Sequence, residues 1–353
     1  MLPLSKYIFV FSGFFSYDSK KVYIFRVIPI RTEGSLFTWI NNQIISQIKA
    51  SYYIIRNSKK IDIVIFFLGG RVYAIPMLIA KILKKKVIVT ATGSAPNTVA
   101  GIYSYRFPRF ARLIAETAKL LESFCFMISD QIAVESQAAI KFLQLNKYKD
   151  KIAIYGSMYI NTDFFKSKRG LKERGNMIGF IGRLSQEKGI MNFVKAIPLV
   201  LRHRNDFMFL IVGGGELFNN LQEYINKNEL SKKVILAGWI PHNIVPDYLN
   251  ELKLLVLPSF SEGIPGIVQE AMACGTPVLA TPVGGIPDLI KDCETGFILR
   301  SNSPECIAKG ILKVLEYDNI EKITENARKL IEEDYSYLVL VEKCKNALLK
   351  LFI

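Results

Sequence analysis

Residues 261–285 read SEGIPGIVQEAMACGTPVLATPVGG and place two glutamates, Glu262 and Glu270, around a loop of glycine, proline and small apolar residues. The apolar run at 254–257 predicts a buried strand, and VQEAMACG predicts a helix that ends at a glycine. A carboxylate at such a buried joint is costly unless it binds a partner. If Pro265 lies near the first helical residue, loop and helix can bring both carboxylates to one site. The stretch therefore predicts a ligand site where a strand ends and a helix begins.

Strand-like and helix-like segments alternate along most of the chain, which is typical of α/β proteins with parallel sheets. A chain of 353 residues is long for one core, so two domains are expected. The polar stretch KSKRGLKERGN lacks periodicity and separates two alternating halves, which predicts a linker. The predicted organisation is an N-terminal Rossmann-like domain (1–165), a linker (166–176), a second Rossmann-like domain (177–335) and a C-terminal helix (336–353) that packs back toward the first domain.

The positive charge is concentrated in the first half of the chain. The net charge is +15, and residues 1–165 hold 22 Lys/Arg against 9 Asp/Glu. Such a surface suits anionic lipid headgroups or a phosphorylated acceptor, while basic residues that only solvate helix faces are the alternative. No aromatic RNP pattern, zinc finger or helix-turn-helix accompanies the charge, so nucleic acid is not an expected partner.

The five cysteines form no CxxC pair and show no metal-ligand spacing, which predicts reduced core residues and no metal site. No apolar run reaches the ~18 residues that span a bilayer. The first residues contain a short apolar segment without a small-residue cleavage site, and they predict a strand rather than a signal peptide. We expect a cytoplasmic protein that makes peripheral contact with the inner face of an anionic membrane.

The stretch GRLSQEKG (182–189) places two cations at the mouth of the second sheet. A predicted strand ends at Gly182 and delivers Arg183, and Lys188 then stands beside the start of the next helix. Two cations next to the free N–H groups of a helix N-terminus suit a diphosphate. Two solvated cations on a surface turn are the alternative.

Polar or glycine-rich residues follow the carboxyl end of every predicted strand in the second half, where open α/β sheets bind their ligands. These segments are Gly182-Arg183, Gly213 to Glu216, Gly238-Trp239, Ser259 to Gly266 and Pro282 to Gly285. The turn that contains Gly214 departs from the GxGxxG fingerprint, because Phe218 stands where the third glycine belongs. It fits either a close approach to a ligand or a tight turn alone.

Glu262 and Glu270 form a Glu-x7-Glu pattern that resembles glycosyltransferase family 4, retaining enzymes of GT-B fold. GRLSQEKG is similar to that family's Gly-Arg-Leu…Glu-Lys-Gly element, and LAGWIPHNIVPDYL to its Gly-x-(Ile/Val)-Pro segment. PVLATPVGGIPDLI…TGFIL matches its closing strands. The resemblance runs from about 177 to 335 and is weaker but followable from about 61. It implies two Rossmann-like domains facing across a cleft, the second of which holds a nucleotide-diphosphate sugar.

The resemblance also implies roles for individual residues. Arg183 and Lys188 would neutralise the departing diphosphate, and Glu270 would accept the ribose hydroxyls. Glu262 and the loop of Gly263 to Gly266 would hold the sugar hydroxyls and the distal phosphate. The implied catalytic residues are Arg183, Lys188 and Glu262, and the further donor-binding residues are Gly182, Gly214, Gly238, Trp239, Gly263, Ile264, Pro265, Gly266 and Glu270. No cofactor, metal ion or protein nucleophile is expected.

The N-terminal half departs from the family pattern. It opens KYIFVFSGFFSYDSK without the usual glycine pair, so we expect the first strand–loop–helix unit to be missing or replaced and the domain to be abbreviated. Thr92-Gly93 stands where many relatives carry His-Gly. The only histidines, His203 and His242, lie in the other half and are predicted to be surface residues.

The predicted function is retaining transfer from a UDP- or GDP-sugar to a glycan or lipid-linked acceptor, as in polysaccharide or glycolipid synthesis. A non-catalytic nucleotide-sugar binder and a nucleotide-sugar 2-epimerase remain open. The epimerase would need an acid/base set in the N-terminal half that the residues do not reveal. A glycosidase that uses the two glutamates is disfavoured, because it would leave the phosphate site without a use.

Overall fold

The computed structural model describes residues 8–12, 22–26, 36–67, 73–91, 111–155 and 159–351. The chain divides into two compact units, each built on a six-stranded parallel sheet. Unit 1 consists of Met1–Glu135, Ala139–Tyr155 and Lys343–Ile353, and unit 2 consists of Ser136–Ala138 and Gly156–Glu342. The predicted α/β class with two parallel sheets is confirmed. Thr92-Gly93 and most of the departing N-terminal stretch lie outside the described residues.

The sheet of unit 1 has the strand order β2-β1-β3-β4-β5-β6. Its strands are β1 (Ile8–Ser12), β2 (Val22–Arg26), β3 (Ile63–Phe67), β4 (Lys86–Ala91), β5 (Gln131–Val134) and β6 (Ile152–Ile154). Its described helices are α1 (Leu36–Arg56), α2 (Ala74–Ile82), α3 (Ala111–Ile128) and α4 (Gln137–Phe142). α4 begins at the boundary with unit 2, at Gln137. α1 connects β2 to β3, α2 connects β3 to β4, and α3 connects β4 to β5, and all three connections run in the same direction across the sheet. Because such crossovers are right-handed, the three helices lie on the same face.

The two faces of this sheet pack against different partners. On one face, Val64, Val87 and Ile132 share a core with Ile54 of α1 and Met77 of α2. On the other face, Ile63, Ile88 and Ala133 pack against Leu348, in the last turn of the last helix, and against Leu351 just after it. The side-chain amide of buried Gln131 fixes this helix by donating to the Ala347 carbonyl over 3.0 Å. The N-terminal sheet is therefore completed by the C-terminal end of the chain.

The sheet of unit 2 has the order β12-β11-β10-β7-β8-β9. Its strands are β7 (Met177–Ile181), β8 (Met208–Val212), β9 (Val234–Gly238), β10 (Leu254–Leu257), β11 (Val278–Ala280) and β12 (Phe297–Ile298). The helices that follow α4 are α5 (Ile190–Leu201), α6 (Phe218–Lys227), α7 (Val245–Glu251), α8 (Gly266–Ala273), α9 (Ile286–Leu289), α10 (Pro304–Leu315), α11 (Ile320–Asp334) and α12 (Tyr337–Leu349), of which α12 ends in unit 1. From β7 the chain adds β8 and β9 on one side of the sheet. It then returns to the other side of β7 and adds β10, β11 and β12. β7 and β10 are thus neighbours with the switch point of the sheet between them.

The stretch 166–176, predicted to be a linker, packs onto unit 2 instead. Arg174 is buried, and its guanidinium is held by acceptors on two segments of that unit, at the end of α7 and in the turn after α8. These acceptors are the carbonyl oxygens of Leu249, Leu252 and Cys274 and the hydroxyl of Thr276, at 2.8–3.2 Å. Burial lowers the pKa of Arg174 from its usual value. The stretch lacks periodicity because side-chain hydrogen bonds, rather than an apolar face, attach it.

The observed strands are shorter than the apolar runs that predict them. The run at 207–215, for example, forms a strand only from Met208 to Val212, because its glycines belong to the following turn. Within the described part of the chain, none of the helices combines the length and the apolar character needed to cross a bilayer.

Candidate functional site

The switch point of the second sheet brings together two motifs that lie far apart in the sequence. β7 and β10 are paired directly, Ile178 with Leu254, so the loop 182–189 and the loop 258–266 leave the sheet side by side. A hydrogen bond from the Phe260 N–H to the Glu187 carbonyl, 2.8 Å long, joins the two loops. The cationic motif and the first glutamate therefore share one edge.

Lys188 and Glu262 form the central ion pair of this edge. The Lys188 Nζ lies 2.8 Å from Glu262 Oε1 and 2.7 Å from Oε2, so the ammonium bridges both carboxylate oxygens. The Ser259 hydroxyl donates a further hydrogen bond of 2.6 Å to Oε1. The Glu262 side chain is only 4% exposed and that of Lys188 is 22% exposed. The partners of Glu262 explain how a carboxylate is tolerated at this buried joint.

Ser259 connects Glu262 to the loop that follows β11. The Ser259 hydroxyl donates to Glu262, and the Ser259 backbone carbonyl accepts a 2.5 Å hydrogen bond from the Thr281 hydroxyl. Ser259 and Thr281 are both buried. The third loop of the sheet edge is thereby tied to the carboxylate-bearing loop, and the position of Glu262 is set by contacts on both sides.

Glu270 lies in α8 and has its own partner, His242. The Glu270 side chain is 8% exposed, and its Oε1 is 2.8 Å from the His242 Nε2. The imidazole also packs near the ring of Phe165, with 5.5 Å between ring centroids. The His242 side chain is 68% exposed, as a surface residue would be, and its contact with the second glutamate was not predicted from the sequence. The available signal was its place four residues after Gly238, just beyond the carboxyl end of β9.

The start of α8 lies close to the Glu270 carboxylate. Pro265 is the N-cap and Gly266 the first helical residue, close to the predicted arrangement. A Cβ at Gly266 would be 3.9 Å from Glu270 Oε1, so this carboxylate reaches back over the first turn. The first N–H groups of a helix have no intrahelical partner, and this end of α8 consequently offers donors beside an acidic group.

Two glycines are required by close approach of backbone segments. Gly284 has φ +60°, and a Cβ there would lie 1.9 Å from the Glu262 carbonyl oxygen. Gly213 has φ +140°, and a Cβ there would lie 1.8 Å from the Gly182 carbonyl oxygen. Packing at the strand ends thus accounts for Gly213 in the turn that the sequence left open between ligand contact and tight turn.

The remaining predicted residues lie around this edge and contact neither Glu262 nor Glu270 by an ion pair. Arg183 is 71% exposed and lies 3.5 Å from Glu187, from its Nη1 to the Oε1. Trp239 is 75% exposed, and a Cβ at Gly214 would lie 3.8 Å from its Cβ. The Gly263 carbonyl accepts a 2.7 Å hydrogen bond from the Gly285 N–H, which holds the loop that continues through Ile264.

Burial raises the pKa of Cys274, at the end of α8, to about 12. This thiol is therefore protonated near neutral pH and fills space behind the site. Among the residues that the structure describes, no group of three His, Cys, Asp or Glu side chains is arranged to hold a metal ion.

The chain has clear relatives among known proteins. It is 28% identical over 227 residues to an uncharacterized glycosyltransferase of Methanocaldococcus jannaschii, a match that covers 64% of this chain and 56% of that protein. It is 29% identical over 191 residues to the UDP-Gal:alpha-D-GlcNAc-diphosphoundecaprenol alpha-1,3-galactosyltransferase of Escherichia coli, covering 53% of this chain and 49% of that protein. The chain spans about half the length of these two curated relatives.

Among solved structures, the HepE protein of Anabaena in complex with UDP-glucose matches 98% of this chain and 99% of its own. The TM-score is 0.71 at 15% identity, which supports the shared GT-B fold. Residues 161–331 match the family of glycosyl transferases group 1, a span that includes both glutamates and the cationic motif. The predicted resemblance is confirmed for this part of the chain, whose residues 161–331 match the glycosyl transferases group 1.

Proposed function

We propose that this chain is a retaining glycosyltransferase that takes its donor, a nucleotide-diphosphate sugar, at the carboxyl edge of the second sheet. The observation that carries the proposal is the partly buried Lys188–Glu262 pair at the switch point of that sheet, beside the start of α8. Open α/β sheets bind ligands at this position, and a fixed ammonium group there suits a diphosphate.

The geometry of Lys188 leaves capacity for a phosphate. An ammonium group has three N–H donors, and two are directed to the oxygens of Glu262. The third donor is available for a phosphate oxygen without loss of the ion pair. The exposed Arg183 guanidinium can contribute a second, more mobile cation, and its planar fork suits two phosphate oxygens.

Glu270 is the proposed acceptor for the ribose hydroxyls. His242 contacts its Oε1, so the Oε2 oxygen keeps its lone pairs for the donor. The exposed indole of Trp239 follows β9 and offers an apolar surface for the base. Glu262, the loop from Gly263 and the N-terminus of α8 would hold the sugar hydroxyls and the distal phosphate.

The chemistry follows from where charge develops. As the glycosidic bond to the diphosphate breaks, negative charge grows on the leaving phosphate, and Lys188 stabilises it with a donor that is already oriented. The Glu262 carboxylate is paired with the Lys188 ammonium and accepts a hydrogen bond from the Ser259 hydroxyl, so it is a poor nucleophile. We therefore propose attack by the acceptor hydroxyl on the face that the phosphate leaves, with that phosphate taking the hydroxyl proton, which retains the anomeric configuration.

A UDP-sugar donor and a lipid-linked glycan acceptor are the proposed substrates, with a GDP-sugar as the second donor to test. The support is the Escherichia coli relative, whose name specifies UDP-Gal and a diphosphoundecaprenol-linked acceptor. A charged lipid-linked acceptor also fits the excess of cations in residues 1–165. We propose accordingly that the chain works in the cytoplasm and contacts the inner face of an anionic membrane.

Turnover of a panel of UDP- and GDP-sugars tests the proposal. Released nucleotide is quantified by chromatography with and without lipid-linked acceptors, and the product linkage is determined by NMR. Nucleotide release with a retained anomeric configuration supports the proposal. Binding without turnover identifies a non-catalytic binder, and a changed donor sugar without acceptor identifies an epimerase. Glu270→Gln, which keeps the side-chain shape and removes the charge, should slow the turnover of the same donors.

A further inference from the structure

The outward face of α1 is apolar where a soluble helix is normally polar. Four side chains spaced along this face are more than half exposed. They are Ile44, Ile48, Tyr52 and Ile55, exposed by 51%, 62%, 54% and 54%. The side of α1 that packs inward carries small or hydroxyl-bearing residues, Ser46, Ala50 and Ser51, together with Ile54. The amphipathic pattern is thus largely inverted relative to that of an ordinary surface helix.

The apolar surface continues on α2 and α3. α1 packs against α2, and α2 packs against α3, so their outward sides adjoin. On α2 the exposed residues are Ile75, Leu78 and Ile82, and on α3 they are Leu113, Leu120, Leu121 and Met127, with exposures of 45–71%. We call these outward sides of α1, α2 and α3 the three-helix face.

The extent of this surface requires an explanation. Single exposed apolar residues are normal, but soluble monomers rarely expose contiguous apolar patches larger than a few hundred Å². Eleven large apolar side chains on three adjoining helices exceed that pattern. The spacing of 44, 48, 52 and 55, and of 75, 78 and 82, follows successive helical turns. An apolar stripe therefore runs along each of these two helices.

Cations border the three-helix face. Neither α1 nor α2 contains an aspartate or a glutamate. The end of α1 and the turn after it carry Arg56, Lys59 and Lys60, all exposed, and the turn after α2 carries exposed Lys84 followed by two half-buried lysines. Because β3 and β4 are neighbours, these two basic turns lie at the same edge of the first sheet. Exposed acidic residues near this face are Asp62, which lies between Lys60 and β3, and Glu116 on α3.

We propose that the three-helix face docks onto an anionic bilayer, with its isoleucines and leucines in the headgroup boundary and its basic turns against anionic lipids. An apolar helix face bordered by Lys and Arg is the arrangement that binds membrane surfaces. The inference rests on the proposed function in that a lipid-linked acceptor is met at such a surface. Charge complementarity selects lipid over a second copy, because two copies of this face would oppose their cations.

Flotation with lipid vesicles tests the docking. The intact chain, without nucleotide, is mixed with vesicles of phosphatidylcholine alone or with roughly 30% phosphatidylglycerol. We expect partitioning that favours the anionic vesicles at low salt and falls, without vanishing, at high salt, because an apolar contribution remains. Lys59→Gln with Lys60→Gln should weaken partitioning about 25-fold, at about fivefold for each cation.

The apolar contribution is tested with Ile48→Gln and Ile82→Gln combined, which should reduce partitioning at least tenfold at both salt concentrations. Both side chains are exposed, so the fold should survive, and circular dichroism checks it. Leu338→Gln is the matched control, since Leu338 is 76% exposed on α12 and lies outside the three-helix face.

Partitioning unchanged by the isoleucine variant, or equal on neutral and anionic vesicles, overturns the proposal. A concentration-dependent dimer in light scattering that the same variant abolishes, without vesicle binding, would assign the face to a second copy and also overturn it. Donor turnover with a water-soluble acceptor, measured on the same variants, should equal wild type. Loss of vesicle binding with retained turnover separates a failure of docking from a failure of the proposed function.

Discussion

Replacing Lys188 by methionine should destabilise unit 2, because it removes the cation from a buried carboxylate. The Glu262 side chain is 4% exposed, and among its described partners the variant would keep only the hydrogen bond from Ser259. Breaking a buried ion pair on one side typically costs 3–5 kcal/mol, and the surviving hydroxyl donor places this case at about 3 kcal/mol.

Removing the charge of Glu262 instead should lower the stability of unit 2 by a smaller amount. Glu262→Gln leaves Lys188, whose side chain is 22% exposed and can turn its ammonium group toward water, so we expect about 1.5 kcal/mol. The double variant Lys188→Met/Glu262→Gln contains no unpaired charge, and we expect a loss of about 1 kcal/mol. The coupling between the two sites is then about 3.5 kcal/mol, and the double variant is more stable than the lysine variant alone.

Hydrogen exchange measured by mass spectrometry on peptides from β7 and β10 reports this stability within unit 2. A loss of 3 kcal/mol accelerates the exchange of the most protected amides about 150-fold. Turnover gives the second measurement. The double variant should regain most of the exchange protection and still transfer sugar at least 100-fold more slowly, since the cation that stabilises the leaving diphosphate is absent.

The exposed pair Lys329–Glu333 on α11 is the matched control. Its side chains are 71% and 65% exposed, and the same two substitutions there should change stability by no more than about 0.5 kcal/mol. A double variant as unstable as Lys188→Met alone would contradict the unpaired charge as the source of the cost. Full turnover in the double variant would remove Lys188 from the proposed chemistry.

Glu270→Ala should weaken nucleotide binding at least tenfold in calorimetry, and His242→Ala should weaken it less, since the imidazole only orients the carboxylate; unchanged binding in both would refute the ribose assignment. Gly284→Ala should lower the free energy of unfolding by about 2 kcal/mol or more, because its Cβ would lie 1.9 Å from the Glu262 carbonyl oxygen. The urea midpoint should fall accordingly, and an unchanged midpoint would argue against that loop geometry. Burial raises the pKa of Cys125 and Cys274 from 9.0 to about 12. The folded state holds these protons more tightly, so the stability they contribute is present below pH 9 and lost as pH rises toward 12. The Cys125→Ala/Cys274→Ala variant should therefore lose less stability between pH 8 and 10.5 than wild type, and parallel urea curves would contradict this.

Much of the fold could be predicted because local patterns encode it. Buried parallel strands appear in the sequence as apolar runs. The helix at 266–273 is indicated by Pro265 before it and by Gly275 after it. The Glu-x7-Glu spacing likewise depends on a single loop and helix. These features lie within a few residues of one another, so periodicity and turn chemistry are sufficient to predict them.

The pairings within the site could not be predicted in the same way. Lys188 and Glu262 are 74 residues apart, and their contact depends on β10 being next to β7. His242 contacts Glu270 from the loop after β9, and the residue types around it do not predict this contact. The sequence predicts a linker at 166–176 because the acceptors of Arg174 lie 75–102 positions later in the chain. Spatial order, rather than local sequence, decides each of these contacts.

The return of the chain end to the first sheet has a consequence for biosynthesis. Ile63, Ile88 and Ala133 are translated early, whereas the residues that cover them, Leu348 and Leu351, are translated more than 200 residues later. During synthesis on the ribosome, one side of the nascent N-terminal sheet must stay uncovered while all of unit 2 is made. We expect this interval to be the stage at which the polypeptide most needs a chaperone.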